Sequence, residues 1–151
     1  MKEIRILVFK LNGEYFATDI MEVERILGSI GITKLPDSPS FLEGIIKYEE
    51  EVIPVINLSN KFGFNSSSVD STSKVIVVKK EIGKFGVIVD DVNEVTTVNE
   101  EVIDYSSSVS TIISRKYMKG IIREKNNLII LLDLNKVLLE KEEELVFERV
   151  E

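Results

Sequence analysis

An internal repeat is the feature of this sequence that most restricts its fold. Residues Phe41–Ile46 (FLEGII) align without a gap with Tyr117–Ile122 (YMKGII). In the same register, Val52–Leu58 aligns with Leu128–Leu134. One short apolar strand matches another easily by chance, but two blocks in the same order and spacing do not. The repeat therefore predicts two small β-barrels of like topology packed side by side, with a groove between the halves.

The rest of the chain supports a mainly β reading. A weaker match extends the repeat upstream through the pairs Phe16/Phe85, Ala17/Gly86, Ile20/Val89, Val23/Val92 and Ile26/Val95. Most apolar residues are Ile, Val and Leu, and β-branched side chains favour pleated strands. The dipeptide Asn12-Gly13 follows the β-rich run 4–11 and predicts a hairpin. Residues 19–27 suit a helical turn as well as a strand, and their periodicity leaves both open.

Three residues inside predicted strands indicate local irregularity. Gly44 and Gly120 occupy equivalent positions of the repeat, where each predicts a bulge or sharp bend. Pro54 predicts an edge strand or a bulge, because proline cannot donate a hydrogen bond to a neighbouring strand. An open edge would be a natural docking surface for another β domain.

The expected division of the chain follows the repeat. Subdomain one covers about residues 14–70 and subdomain two about 71–134, with exchange of the strand in 1–13 between them as an option. The apolar residues in 135–151 predict a C-terminal helix with a charged face. The serine-rich stretch 65–73 predicts a mobile polar linker.

Composition excludes much catalytic chemistry. The chain contains neither histidine nor cysteine, so it offers no imidazole base, thiolate nucleophile, zinc–thiolate site or disulfide. Adjacent strand residues Asp90 and Asp91 point to opposite faces and do not form a pair. The acidic run 49–51 lies in an exposed turn, and no phosphate-binding motif is present. We expect no enzyme activity, catalytic residue, metal or cofactor, with a carboxylate-dependent hydrolase as a minor alternative.

Charge and hydropathy restrict location and partners. A net charge of −7 argues against binding to nucleic acid, which needs a basic face. The apolar run 6–11 is too short and too charged for a signal peptide, and no segment approaches the roughly 20 apolar residues of a membrane span. The sequence predicts a cytoplasmic protein without membrane insertion, whose ligands are protein surfaces.

Ordered motifs across about residues 4–140 resemble the CheW family of chemotaxis coupling proteins. The similar segments are 15–20, 32–46, 52–58, 85–90 and 120–134. The resemblance implies one CheW-like domain over 1–151, built of two five-stranded SH3-like barrels. It implies an adaptor that links methyl-accepting chemoreceptors to the histidine kinase CheA and is recruited to membrane receptor arrays. The short chain, with no kinase or receiver region, favours a free-standing adaptor.

The resemblance also implies two sets of binding residues. The residues expected to contact the regulatory domain of CheA are Gly44, Ile46, Glu49, Glu50 and Pro54. The residues expected to line or border a groove for the cytoplasmic tip of the receptor are Val23, Arg25, Ile26, Val87 and Val89.

The turn at residues 47–50 departs from the family pattern. The usual turn is Asn-Leu-Arg-Gly, whereas this chain reads KYEE, so Glu49 replaces the arginine and Glu50 the glycine. Arg25 stands where the family often carries glutamate. One hypothesis is that Arg25 and Glu49 form the same ion pair with reversed polarity; the alternative is two unrelated surface changes. Because Glu50 resists positive φ, we expect an altered turn backbone. The altered turn also raises an alternative function, an interaction module for a different signalling partner.

Overall fold

The prediction of a mainly β protein is confirmed by the computed structural model. The structure describes residues 2–28, 31–64, 72–81, 83–105, 117–124 and 126–138, together with 142 and 147. The strands are β1 Glu3–Leu11, β2 Glu14–Asp19, β3 Val23–Leu27, β4 Leu42–Tyr48, β5 Glu51–Asn57, β6 Lys74–Lys80, β7 Gly83–Val89, β8 Asp91–Asn99, β9 Ile103–Asp104, β10 Met118–Glu124 and β11 Asn127–Leu132. The helices are α1 Leu58–Lys61 and the 3₁₀ turns η1 Ile20–Glu22, η2 Glu100–Val102 and η3 Leu134–Lys136.

The strands form two sheets with equivalent topology. The six-stranded sheet has the order β8-β1-β2-β11-β10-β9, and the five-stranded sheet has the order β3-β6-β7-β5-β4. The hairpin β1–β2 corresponds to β6–β7, the hairpin β10–β11 to β4–β5, and the edge strand β8 to β3. In each sheet one parallel pair joins the two hairpins, β2 with β11 and β5 with β7.

The register of these parallel pairs confirms the internal repeat. Ala17 lies opposite Leu131 in the six-stranded sheet, and Gly86 lies opposite Val55 in the five-stranded sheet. These are the pairs expected from aligning Phe16-Ala17 with Phe85-Gly86 and Val55 with Leu131. The two halves therefore share their strand pairing as well as their sequence pattern.

The sheets do not follow the expected boundaries at 14–70 and 71–134. Strand β2 lies in the six-stranded sheet beside β11, and β6 and β7 lie in the five-stranded sheet beside β3 and β5. Each half thus passes its strands to both sheets, and the exchange is larger than the residues 1–13 considered from sequence. Aligned repeats give the order of elements along the chain but not the sheet that each element joins.

Both repeat glycines lie at bulges, as predicted. The strand register shifts beside Gly44 and beside Gly120. Gly44 has φ +155°, and a Cβ atom there would lie 2.3 Å from the carbonyl oxygen of Thr33. A Cβ atom on Gly120 would lie 2.8 Å from the Cγ2 atom of Ile103. Each glycine therefore allows a crossing segment to pass close to the bulged strand.

Strand alternation divides the interior into three clusters. The cluster between the sheets includes Leu7, Phe9, Leu11, Phe16, Ile76, Val78, Phe85, Val87 and Val89. The six-stranded sheet encloses Ile6, Val8, Ala17, Val98, Ile103, Ile122, Ile129 and Leu131. The five-stranded sheet encloses Ile46, Tyr48, Ile53, Val55, Val75, Val77 and Ile88. Because successive side chains point to opposite faces, β1, β6 and β7 each contribute to two clusters.

Several local predictions were resolved by the structure. Asn12 and Gly13 have φ +53° and +79° and form the predicted hairpin turn. Residues 19–27 contain both alternatives, the 3₁₀ turn η1 followed by β3.

The edge-strand prediction for Pro54 was wrong. Strand β5 lies between β7 and β4, and Pro54 is paired with Ile45. Ile45 exchanges its backbone hydrogen bonds with Thr33 on its other side, so the nitrogen of Pro54 faces away from β4. Pairing of β5 with β7 begins only at Val55. The missing N–H therefore removes no hydrogen bond from either ladder.

The predicted C-terminal helix lies mostly outside the described residues and stays a prediction, as does the mobile linker at 65–73. The described part of 135–151 starts within η3. Lys61 forms an ion pair with Glu142. The ring of Phe147 approaches Gly83, 3.1 Å from the position of a Cβ atom. Both contacts connect the C-terminal residues to the five-stranded part of the molecule.

Candidate functional site: a protein-docking surface at the end of the five-stranded sheet

The turn between β4 and β5 consists of Glu49 and Glu50, both exposed, and Tyr48 and Glu51 form the last pair of the hairpin. Glu49 has φ +56°. The left-handed residue is therefore Glu49, and Glu50, which was expected to resist positive φ, does not adopt it. The favoured two-residue hairpin turns have positive φ at their first central position, and here that position is 49.

A polar network anchors this turn to the edge strand β3. The hydroxyl of Tyr48 donates a hydrogen bond of 2.8 Å to the Glu24 Oε2 atom. The Lys84 Nζ atom lies 3.2 Å from the same oxygen and 3.5 Å from the Glu51 Oε2 atom. It also lies 5.6 Å from the centre of the Tyr48 ring. Strands β3, β4, β5 and β7 therefore meet at one buried tyrosine, which is 3% exposed.

The network holds its groups in defined charge states. The hydrogen bond from Tyr48 is the main cause that lowers the pKa of the Glu24 carboxyl. Burial raises the pKa of the Tyr48 hydroxyl, and the Glu24 carboxylate adds to this rise. The hydrogen bond to Glu24 raises the pKa of the Lys84 ammonium. Near neutral pH the cluster contains a carboxylate, a neutral phenol and an ammonium, an arrangement suited to positioning rather than proton transfer.

The proposed ion pair of reversed polarity is not formed. Among the described residues, Arg25 and Glu49 make no ion pair within 4 Å of each other. The guanidinium of Arg25 instead lies 5.8 Å from the ring centre of Tyr48. Strand β3 contains a register shift between Val23 and Arg25, so Glu24 is the bulged residue. The carboxylate that contacts Tyr48 belongs to Glu24, the residue directly before Arg25.

The sequence interpretation missed Glu24, Tyr48 and Lys84 as site residues. One signal in the sequence was the glutamate directly before Arg25. Another was the tyrosine in the turn at 47–50, which differs from the family pattern. No sequence pattern links Lys84 to either of them, because it lies in another hairpin.

The structure separates the five residues expected at the kinase contact. Glu49 and Glu50 are exposed at the turn, whereas Gly44, Ile46 and Pro54 are buried. The buried three lie on β4 and β5 and shape the hairpin that presents the turn.

The residues expected at the receptor contact are also divided. Arg25 is exposed, and Ile26 is 38% exposed, on the edge strand β3. Val23 is half-buried against the cluster between the sheets. Val87 and Val89 are 0% and 1% exposed in that cluster, so their side chains do not reach a surface groove. Five exposed residues at this end are named the docking face here: Arg25, Ile26, Glu49, Glu50 and Val52.

The part of the chain that the structure describes offers no group of three or more acidic residues placed to hold a metal ion. In that same part, no helix has the length and apolar character needed to cross a membrane.

The chain matches known proteins over most of its length. A CheW-like domain model matches residues 5–142. The chain is 30% identical to the chemotaxis protein CheW of Thermotoga maritima over 93% of its own length and 91% of that protein. It is 28% identical to the chemotaxis protein CheW of Treponema pallidum, over 93% of this chain and 85% of that one. The crystal structure of the scaffolding protein TtCheW from Thermoanaerobacter tengcongensis has a TM-score of 0.86 and 33% identity, covering 94% of this chain and 97% of that one. The chain therefore belongs to the CheW-like domain family.

Proposed function

We propose that this protein is a chemotaxis adaptor, a scaffold that couples methyl-accepting chemoreceptors to the histidine kinase CheA by protein–protein docking. The observation that carries the proposal is the family match over residues 5–142, together with a fold that matches a CheW scaffolding protein over nearly its whole length. In this proposal the protein catalyses no reaction. It resides in the cytoplasm and is recruited to receptor arrays.

The proposed contacts use two exposed elements of the docking face. The turn at Glu49 and Glu50 contacts the regulatory domain of CheA, and the β3 edge at Arg25 and Ile26 contacts the cytoplasmic tip of the receptor. The buried residues of the two predicted sets contact neither partner in this proposal. They support the strands that present the exposed residues. The network around Tyr48 supports this assignment, because it fixes the turn relative to β3 and so fixes two partners relative to each other.

The finer architecture is part of the proposal. We infer that each sheet curls into an SH3-like barrel and that 135–151 forms a helix. In the five-stranded sheet, β3 and β4 are the two edges, and the hydrogen bond between Tyr48 and Glu24 bridges them. Contact between opposite edges of one sheet is what barrel closure requires.

A pull-down tests the two contacts separately. The protein is incubated with the CheA regulatory domain and, separately, with a receptor cytoplasmic-tip fragment, both from the same organism. Charge reversal of the turn by Glu49→Lys and Glu50→Lys is expected to weaken only kinase binding, and Ile26→Glu only receptor binding. Glu3→Lys combined with Glu14→Lys makes the same total charge change at exposed sites on the six-stranded sheet and serves as the matched control. Failure of the wild-type protein to bind either fragment would contradict the proposal.

The acidic turn favours a second candidate, an adaptor of the same fold that serves a different signalling partner. Two carboxylates at Glu49 and Glu50 replace the family's arginine and glycine, and like charges on a partner would be rejected. Restoring the turn to Asn-Leu-Arg-Gly discriminates between the two. If only the restored protein binds the CheA domain, the natural turn directs the scaffold elsewhere.

A further inference from the structure

A cavity of about 160 Å³ opens at the end of the six-stranded sheet. Its floor is apolar and consists of the buried Val8 and Ile129. Its walls include the ring of Tyr15 and the carboxylates of Glu94 on β8 and Glu124 on β10. The cavity lies on the other sheet from the docking face, so neither proposed contact uses it.

The internal repeat shows what occupies the equivalent place in the five-stranded sheet. Aligning Phe16 with Phe85 places Tyr15 at the position of Lys84, and aligning Ile122 with Ile46 places Glu124 at the position of Tyr48. In the five-stranded sheet this place is filled by the buried Tyr48 side chain and its network. The six-stranded sheet has Glu124 at the position of Tyr48, and Glu124 lines the cavity.

The two places combine similar groups but differ in their positions and in their cation. The alignment places Asn93 and Asn127, which also line the cavity, at the positions of Glu24 and Glu51. In the five-stranded sheet, the Lys84 ammonium lies between two carboxylates, Glu24 and Glu51, and beside a tyrosine ring. The cavity also contains two carboxylates and a tyrosine ring, yet no described lysine or arginine forms an ion pair with Glu94 or Glu124. The ammonium of Lys10 lies 5.4 Å from the Tyr15 ring centre without pairing with either carboxylate.

We propose that this cavity is a docking site for a lysine or arginine side chain of a protein partner. The apolar floor suits the aliphatic stem of such a side chain, and the walls suit its charged end. The ring of Tyr15 adds a cation–π contact. The net charge of −7 favours approach of a basic segment. This site would give the scaffold a second attachment point, separate from the docking face.

Nuclear magnetic resonance titration of the full chain tests the site. The probe is an acetylated and amidated pentapeptide with a central arginine between glycines, and the matched peptide has glutamine in place of arginine. The arginine peptide is expected to cause saturable shifts at Val8, Tyr15 and Ile129, reduced by added salt. The combined variant Glu94→Gln and Glu124→Gln is expected to weaken this binding at least about threefold, through loss of two partly exposed charge contacts.

Glu50→Gln combined with Glu51→Gln is the matched control, because it removes two carboxylates at the equivalent end of the five-stranded sheet. It should leave binding of the arginine peptide unchanged. The glutamine variants change exposed or half-buried residues, and an unchanged spectrum outside the cavity verifies their fold. Equal shifts with both peptides, binding that the double variant does not weaken, or no saturable shift at millimolar peptide would each overturn the proposal. Loss of kinase or receptor binding would not bear on it, since the test contains neither protein.

Discussion

Replacing Glu22 by glutamine is expected to stabilise the protein in mildly alkaline solution but not in mildly acidic solution. Glu22 lies in η1, where the chain crosses from the six-stranded to the five-stranded sheet. Its Oε2 atom accepts hydrogen bonds from the Thr18 hydroxyl at 3.1 Å and from the Leu134 backbone N–H at 2.9 Å. Glu22 therefore connects the start of this crossover to η3 through hydrogen bonds. A change in its ionisation is expected to change the free energy of unfolding.

Burial is the main cause that raises the pKa of Glu22 from 4.5 to about 7, and the Asp133 carboxylate adds to the rise. The folded state therefore holds a proton that the unfolded state has already released, so the free energy of unfolding falls as pH rises from about 4.5 to about 7. Because one pH unit corresponds to about 1.4 kcal/mol, the full loss is about 3 kcal/mol. Glu22 is only half-buried, and solvent screening reduces the expected loss to about 2 kcal/mol.

Urea denaturation at a series of pH values from 5 to 8 measures this effect. Glutamine keeps an oxygen that can accept both hydrogen bonds and cannot ionise, so the variant should gain about 2 kcal/mol over the wild type by pH 8 and little at pH 5. Glu50→Gln removes the same charge from an exposed turn and corrects for the change in net charge. A difference between Glu22→Gln and wild type that is constant with pH, or that grows toward acid, would refute the reasoning.

Three further substitutions test the fold and the network by thermal or chemical denaturation. Gly44→Ala should cost at least about 2 kcal/mol, because its Cβ would lie 2.3 Å from the Thr33 carbonyl oxygen; no loss would argue against the tight crossing. Tyr48→Phe should cost about 1–2 kcal/mol through loss of its hydrogen bond to Glu24, and an unchanged midpoint would contradict that bond. Phe16→Ala should cost about 3–5 kcal/mol, since Phe16 is 1% exposed between the sheets, and a loss under 1 kcal/mol would place it elsewhere.

The candidate site shows where sequence reasoning succeeds and where it stops. Alternation along β7 correctly places Val87 and Val89 on one face, but it does not show that the other sheet covers this face. The resemblance directs attention to Arg25 and Glu49, whose roles stay a prediction, and the contacts that anchor the turn come from the neighbouring residues Glu24 and Tyr48. Glu24 is the bulged residue of β3, and its carboxylate accepts the hydrogen bond from Tyr48. A bulge of this kind changes the direction in which a side chain points.

The sequence by itself determined the mainly β class, the two equivalent halves, the hairpin at Asn12-Gly13 and the bulges at Gly44 and Gly120. It also excluded histidine and cysteine chemistry. These properties depend on composition, on the repeated pattern, or on the conformational preference of short segments. They can therefore be predicted without knowing which distant segments pack together. Only the tertiary structure decided which sheet each hairpin joins, which valines are buried, and that Lys84 meets Glu24 and Tyr48. Those outcomes depend on packing between segments far apart in sequence, and alternation along a strand contains no information about what covers each face.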